Sequence, residues 1–131
     1  MRILVVDDHR NTREAIALGL APLGVEVLTA ASGADALRQL AVQPCEWILC
    51  DVRMPGMTGI EFAAEAYALN PESRVILMTA HDVGQEERLR VAALGVEILI
   101  KPVTARALVD RCRTNRRLMP ETAGNRNPRL R

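Results

Sequence analysis

Four short apolar runs recur along this chain, and each hands over at its C-terminal end to a polar, reactive side chain. Ile3-Leu4-Val5-Val6 runs into Asp7-Asp8, and Trp47-Ile48-Leu49-Cys50 runs into Asp51. Val75-Ile76-Leu77-Met78 is followed by Thr79, and Ile98-Leu99-Ile100 by Lys101-Pro102. Apolar runs without a polar alternation read as strands covered on both faces, which is the signature of a parallel sheet flanked by helices. Parallel strands end on the same edge. The four polar sites are therefore expected at one crevice at the C-terminal ends of the strands.

The segments between the runs carry helical signals. Ile16, Leu20 and Leu23 lie near one face of a helix predicted over residues 12–21, closed by Pro22 and Gly24. Val25–Ala30 reads as a strand. Ser32 is positioned to cap a helix through Ala41, with Leu37 and Leu40 inward and Pro44 beyond it. Thr58 is positioned to cap a helix over Gly59–Leu69, stopped by Asn70-Pro71. Arg74–Met78 is the fourth strand, and a charged helix over 85–94 ends at Gly95. Thr104 opens a last helix to about Arg117. The order is (βα) five times, which predicts an α/β doubly wound, flavodoxin-like sandwich with a five-stranded parallel sheet in the order 2-1-3-4-5. One domain over residues 1–117 is expected, with 118–131 as a flexible basic tail or the start of a linker, because Pro120, Gly124 and Pro128 interrupt any periodicity there.

Composition narrows the function. Only Trp47, Phe62 and Tyr67 are aromatic, so the core must be aliphatic and stacking on nucleic-acid bases is disfavoured. Residues 111–131 hold seven arginines and one acid, Glu121, while residues 1–110 sum to a charge of −5. A basic end on an acidic body reads first as a solvated helix end; nucleic-acid contact is expected only through an output domain outside this chain. Cys45, Cys50 and Cys112 follow no metal or redox spacing, which points to reduced thiols in the cytoplasm. No apolar stretch reaches the ~18–20 residues that span a bilayer, so no membrane partner is expected. The acids at positions 7 and 8 do not fit a signal peptide.

In the predicted sheet Asp7, Asp8 and Asp51 converge. Three carboxylates ~5 Å apart repel by roughly 1–3 kcal/mol per pair at a dielectric of ~20–80. Such a cluster calls for a counter-charge, and a hard divalent cation with oxygen ligands and retained waters, Mg²⁺, fits it. Lys101 adds a fixed positive charge and Thr79 a hydroxyl. A carboxylate, a divalent cation, a lysine and a hydroxyl form a phosphoryl-transfer set with Asp51 as nucleophile, Lys101 neutralising the equatorial oxygens and Thr79 donating to one of them. No general base is required, because a carboxylate is already ionised at pH 7. Each piece alone is weak: an Asp-Asp pair after a strand is usually a turn or a cap, and Lys-Pro is a common loop dipeptide. Their joint placement at four strand ends is far more specific.

These residues resemble the receiver domain of bacterial two-component response regulators, the CheY-like family. The matching pieces are Ile3 to Asp8, then Asp51-x-x-Met54-Pro55-Gly56-Met57-x-Gly59, Leu77-Met78-Thr79-Ala80 and Lys101-Pro102, with weaker matches at Ala31-Ser32-Gly33-x-x-Ala36-Leu37 and Ala93-Leu94-Gly95. The resemblance covers about residues 1–117. It implies that Asp51 is the phosphoacceptor and that Asp8 and Asp51 bind Mg²⁺ directly. Asp7 then acts through water, and the Arg53 carbonyl completes the shell. It assigns the phosphate contacts to Thr79, the Ala80 amide and Lys101. The implied phosphodonor is a sensor histidine kinase or phosphotransfer protein, and the implied output a downstream protein partner or domain reached through the last two helices and the fifth strand. The protein is then a self-phosphorylating switch with slow autodephosphorylation rather than a turnover enzyme.

The pattern is broken in four places. Ile98 stands where receivers usually carry Tyr or Phe, and Val103 replaces the common Phe after Lys-Pro. The stretch from Thr79 to Gly95 is one residue longer, so an irregular Asp82–Gln85 loop is expected. Arg53 and His81 stand two residues past Asp51 and Thr79, where families tune dephosphorylation. For Arg53, shielding of the phosphoryl group and a solvated side chain are the competing readings; His81 reads as a loop histidine. Two other readings stay open: a receiver fragment of a longer DNA-binding regulator, and a haloacid-dehalogenase-like phosphatase. The second lacks its motif, because Asp7-Asp8-His9-Arg10-Asn11 is not Asp-x-Asp-x-Thr/Val.

Overall fold

The computed structural model describes residues 1–80 and 83–118. His81, Asp82 and the tail from residue 119 lie outside the described residues. The elements alternate as expected: β1 (Arg2–Val6), α1 (Arg10–Leu20), a short 3-10 turn (Ala21–Leu23), β2 (Glu26–Ala30), α2 (Gly33–Val42), β3 (Trp47–Asp51), α3 (Gly59–Leu69), β4 (Arg74–Thr79), α4 (Gln85–Leu94), β5 (Glu97–Ile100) and α5 (Ala105–Leu118). The strands are parallel in the order β2-β1-β3-β4-β5.

Alternation along each strand sorts the core into two layers. Leu4, Val6, Ile48, Cys50, Val75 and Leu77 face α2, α3 and α4, where Leu40, Ile60, Phe62 and Val91 meet them. Ile3, Val5, Trp47, Leu49, Ile76 and Met78 face α1 and α5, where Ile16, Leu20, Leu108 and Val109 meet them. Both faces are thus covered, which is why the runs show no polar alternation. The last of the four runs differs. β5 is an edge strand, and Ile100 is 59% exposed.

The helix caps follow the chemistry of their first residues. Ser32 Oγ accepts the Asp35 N–H, Thr104 Oγ1 accepts the Ala107 N–H, and Thr58 and Glu61 form a reciprocal capping box. α4 ends at Gly95, whose φ of 72° suits a residue without a Cβ. α4 is thinly anchored: Val91 is its one buried residue. No described helix is long and apolar enough to cross a membrane.

Register delivers the strand ends to one edge. Val6 pairs with Cys50, Asp51 with Met78, and Thr79 with Ile100. The ladder continues one step past the strands through Asp7 N–H to Ala30 O, Val52 N–H to Met78 O and Lys101 N–H to Thr79 O. The polar residues after each run are therefore held by backbone hydrogen bonds.

Candidate functional site

Asp7 and Asp51 are almost wholly buried, at 0% and 4% exposure, and Asp8 is partly exposed beside them. One carboxylate oxygen from each of the three, together with a ring nitrogen of His9, can be chosen so that all lie within 4.8 Å of one another. Lys101 reaches in from the end of β5, with Nζ 3.4 Å from Asp7 Oδ2 and 3.6 Å from Asp51 Oδ2. Thr79 is buried at the end of β4, and Ala80 follows it at the surface. Asp7, Asp8, Asp51, Thr79, Ala80 and Lys101 thus share one edge of the sheet, as the sequence pattern required. The peptide between Lys101 and Pro102 is cis.

The electrostatics are those of a crowded anionic site. Burial pushes the Asp51 carboxyl above its ordinary value; Lys101 pulls it back, Asp7 pushes it up again, the Arg53 backbone N–H favours the charged form, and Asp8 opposes it. Asp7 is better provided: its Oδ1 accepts the His9 backbone N–H at 2.9 Å, and its carbonyl accepts Arg13 Nη1 at 2.7 Å. Asp8 Oδ1 is buried and has no hydrogen-bond partner among the described residues. His9 Nδ1 lies 3.3 Å from it but forms no hydrogen bond. An orphaned carboxylate oxygen among further carboxylates fits a hard divalent cation, which would supply the missing partner and the missing charge.

Gly59 sets the floor of the site. A Cβ there would lie 2.3 Å from the Asp51 carbonyl oxygen and 2.9 Å from Val52 Cα. The N-terminus of α3 can approach the end of β3 only because this residue has no side chain.

Arg53 is largely exposed, as in the solvated reading, but its guanidinium is not free. Its guanidinium makes a two-point contact with Glu87 in the first turn of α4, Nη1 to Oε2 and Nη2 to Oε1, both 3.1 Å. Three neighbours were missed by sequence reasoning. Arg13 and Glu87 carry no signal, being separated in sequence from the groups they touch. His9 had one, adjacency to Asp8, but an exposed histidine after an acidic pair has no periodicity to mark it.

The family model described as "Response regulator receiver domain" matches residues 3–113. The chain belongs to that family: it is a receiver domain of two-component response regulators. The phosphatase alternative finds no support in that match. The chain is 35% identical to the "Positive alginate biosynthesis regulatory protein" of Pseudomonas aeruginosa, over 98% of its own length and 56% of that protein's. It is 41% identical to the transcriptional regulatory protein ZraR of Escherichia coli over 77% of its length and 23% of the relative's. The chain thus spans about half the length, or less, of these curated relatives. Among solved structures, the chemotaxis protein CheY4 of Vibrio cholerae superposes with a TM-score of 0.77 at 28% identity, over 86% of this chain and 96% of that one. The response regulator TrrA of Thermotoga maritima, solved in complex with Mg²⁺ and BeF, gives a TM-score of 0.74 at 30% identity, over 86% of this chain and 96% of that one.

Proposed function

We propose that this receiver is switched by transfer of a phosphoryl group to Asp51 from the phosphohistidine of a sensor histidine kinase or phosphotransfer protein. An Asp51 oxygen forms the new bond to phosphorus while the bond from phosphorus to the donor nitrogen breaks. The reading rests on one observation above the others: Asp51 lies buried at a strand end with Lys101 Nζ 3.6 Å from its carboxylate, inside a cluster of acids. Lys101 neutralises charge as it builds on the phosphoryl oxygens, and Thr79 and the Ala80 N–H take up the remaining oxygens. Asp8, Asp51 and the Arg53 carbonyl would hold Mg²⁺, with Asp7 acting through water, and the ion would supply further positive charge to the same oxygens. The orphaned Asp8 Oδ1 supports that assignment.

On this reading residues 1–117 form the receiver domain, and 118–131 form a basic tail or the start of a linker. The chain acts as a phosphoacceptor rather than a turnover enzyme. It works in the cytoplasm on a downstream protein partner or output domain. The greater length of the curated relatives favours a receiver that serves a further segment. An open cleft of about 600 Å³ beside Lys101, lined by Asn11, Thr12, Ala80 and Pro102 among others, offers the donor a path to the site.

Incubation with acetyl phosphate and Mg²⁺ tests the assignment by intact mass. One phosphate is expected on the wild type and none on Asp51→Asn. Full labelling of that variant would place the phosphoacceptor elsewhere.

A further inference from the structure

Arg53 and Glu87 form a contact for which the phosphoryl-transfer set has no use. They stand 34 residues apart, and they tie the loop after β3 to the first turn of α4. The root of Arg53 stands two residues past the proposed phosphoacceptor, and its backbone N–H favours the charged form of Asp51. Its guanidinium lies over solvent, with the side chain 64% exposed. An exposed ion pair of this kind is weak, and salt and solvent let it exchange. A phosphoryl group is a stronger partner: it carries up to two charges and offers a guanidinium the same two-point geometry as a carboxylate.

The other end of the contact matters as much. α4 buries only Val91, and Leu89 on the same helix is 65% exposed. Its first turn is held by Glu87, whose Oε1 accepts both the Gly84 N–H at 3.3 Å and Arg53 Nη2 at 3.1 Å. Glu87 is therefore a cap for its own helix and a tether to the site. Removing Arg53 from it frees the start of a helix that has little apolar packing to hold it.

We propose that Arg53 is an exchange latch. Its guanidinium binds Glu87 while Asp51 is bare and moves to the phosphoryl oxygens when Asp51 is occupied, which releases the N-terminus of α4. The latch rests on the phosphoacceptor reading of Asp51 and adds to it a route from the site to one helix. Linkage fixes the sign: if the phosphoryl group weakens the Arg53–Glu87 pair, then loss of Glu87 must strengthen the binding of a phosphoryl mimic by the same factor.

The test is a double-mutant cycle on beryllofluoride affinity in the presence of Mg²⁺. Glu87→Gln removes the charge but leaves a side chain that can still cap the helix. It is expected to tighten beryllofluoride binding about 2- to 5-fold, the range an exposed pair supplies. Arg53→Ala is expected to weaken binding, and Glu87→Gln should have no effect in the Arg53→Ala background. Amide hydrogen exchange at Gln85–Arg88 should speed up when beryllofluoride binds the wild type and should already be fast in Glu87→Gln. Equal tightening by Glu87→Gln with and without Arg53 would show plain charge removal and overturn the latch, as would no tightening at all. A wild type that fails to bind beryllofluoride, or an Asp51→Asn variant that binds it equally well, would overturn the phosphoacceptor reading itself.

Discussion

Asp51→Asn should stabilise the protein when no divalent cation is present. The Asp51 carboxylate lies no more than 4.8 Å, at its nearest oxygens, from those of Asp7 and Asp8 and 3.6 Å from the Lys101 ammonium. At an effective dielectric of 20 each repulsion costs about 3.5 kcal/mol and the attraction returns about 4.5; in a medium as polar as water each figure falls about fourfold. The balance is against the charged form by roughly 0.5–2.5 kcal/mol. Burial, the largest cause of its raised pKa, acts in the same direction, and the Arg53 N–H offsets part of it. A gain of about 1–2 kcal/mol corresponds to a melting temperature higher by about 3–8 °C for a domain of this size. The pH dependence follows from the raised pKa. The folded state holds the Asp51 proton more tightly than the unfolded chain, so wild-type stability falls as pH rises from the ordinary carboxylate value through the raised one. The difference between wild type and variant should be full above that window and should vanish below it. Thermal unfolding at pH 7.5 in EDTA, repeated at falling pH and with added Mg²⁺, gives the test. Mg²⁺ should raise the wild type more than the variant. A variant that melts below the wild type in EDTA would show that the Lys101 attraction outweighs repulsion and burial, and the reasoning would fail.

Three further outcomes rest on local geometry. Gly59→Ala should cost about 2 kcal/mol or more in urea unfolding, because its Cβ meets the Asp51 backbone at 2.3 Å. Gly33→Ala should cost much less, since its Cβ meets only the flexible Met57 side chain, at 2.8 Å; equal losses would refute the distinction. Burial pushes the Cys45 thiol up to about 11 and the Cys112 thiol up to about 12, and Cys50 is raised by burial and by Asp51 and Asp7, so a thiol reagent at pH 8 should label none of the three until the protein is unfolded. With beryllofluoride bound, amide shift changes should concentrate in residues 79–88 and stay small at Glu97–Ile100; the reverse distribution would refute the role given to α4.

Much of the fold was legible because its signals are local. Thr58 marked the start of α3, and the Gly59–Leu69 span agrees at both ends, since a capping box and an Asn-Pro stop are written in adjacent residues. Gly95 marked the end of α4 although that helix has no apolar stripe. Ile98-Leu99-Ile100 looked like the other runs, yet Ile100 is exposed. A run of apolar residues records strand character, and nothing in it tells how many neighbours the strand will have. The site was legible for a related reason: a parallel sheet sends every strand end to one edge, so position after a run is enough to place Asp7, Asp8, Asp51, Thr79 and Lys101. The expected irregular loop over Asp82–Gln85 begins outside the described residues; within them, Val83 and Gly84 lack regular structure and α4 starts at Gln85.

What the sequence concealed lies in pairs between elements, and these bear on how the switch can work. Ile98 pairs with Leu77 on the face that meets α2, α3 and α4, where Val83 and Val91 also pack. Its branched side chain is stiff at χ1 and has no ring to sweep between an outward and an inward pocket. A signal from Asp51 therefore has a poor carrier in β5. The loop after β3 offers a better one, because Arg53 stands two residues past the proposed phosphoacceptor and its guanidinium holds Glu87 in the first turn of α4. The departure at Ile98 was visible from sequence, but its replacement was not, since the Arg53–Glu87 pair joins residues that no periodicity relates. The absence of an aromatic ring at position 98 and the presence of the Arg53–Glu87 ion pair are independent observations, and together they move the expected conformational change from the edge strand to the start of α4.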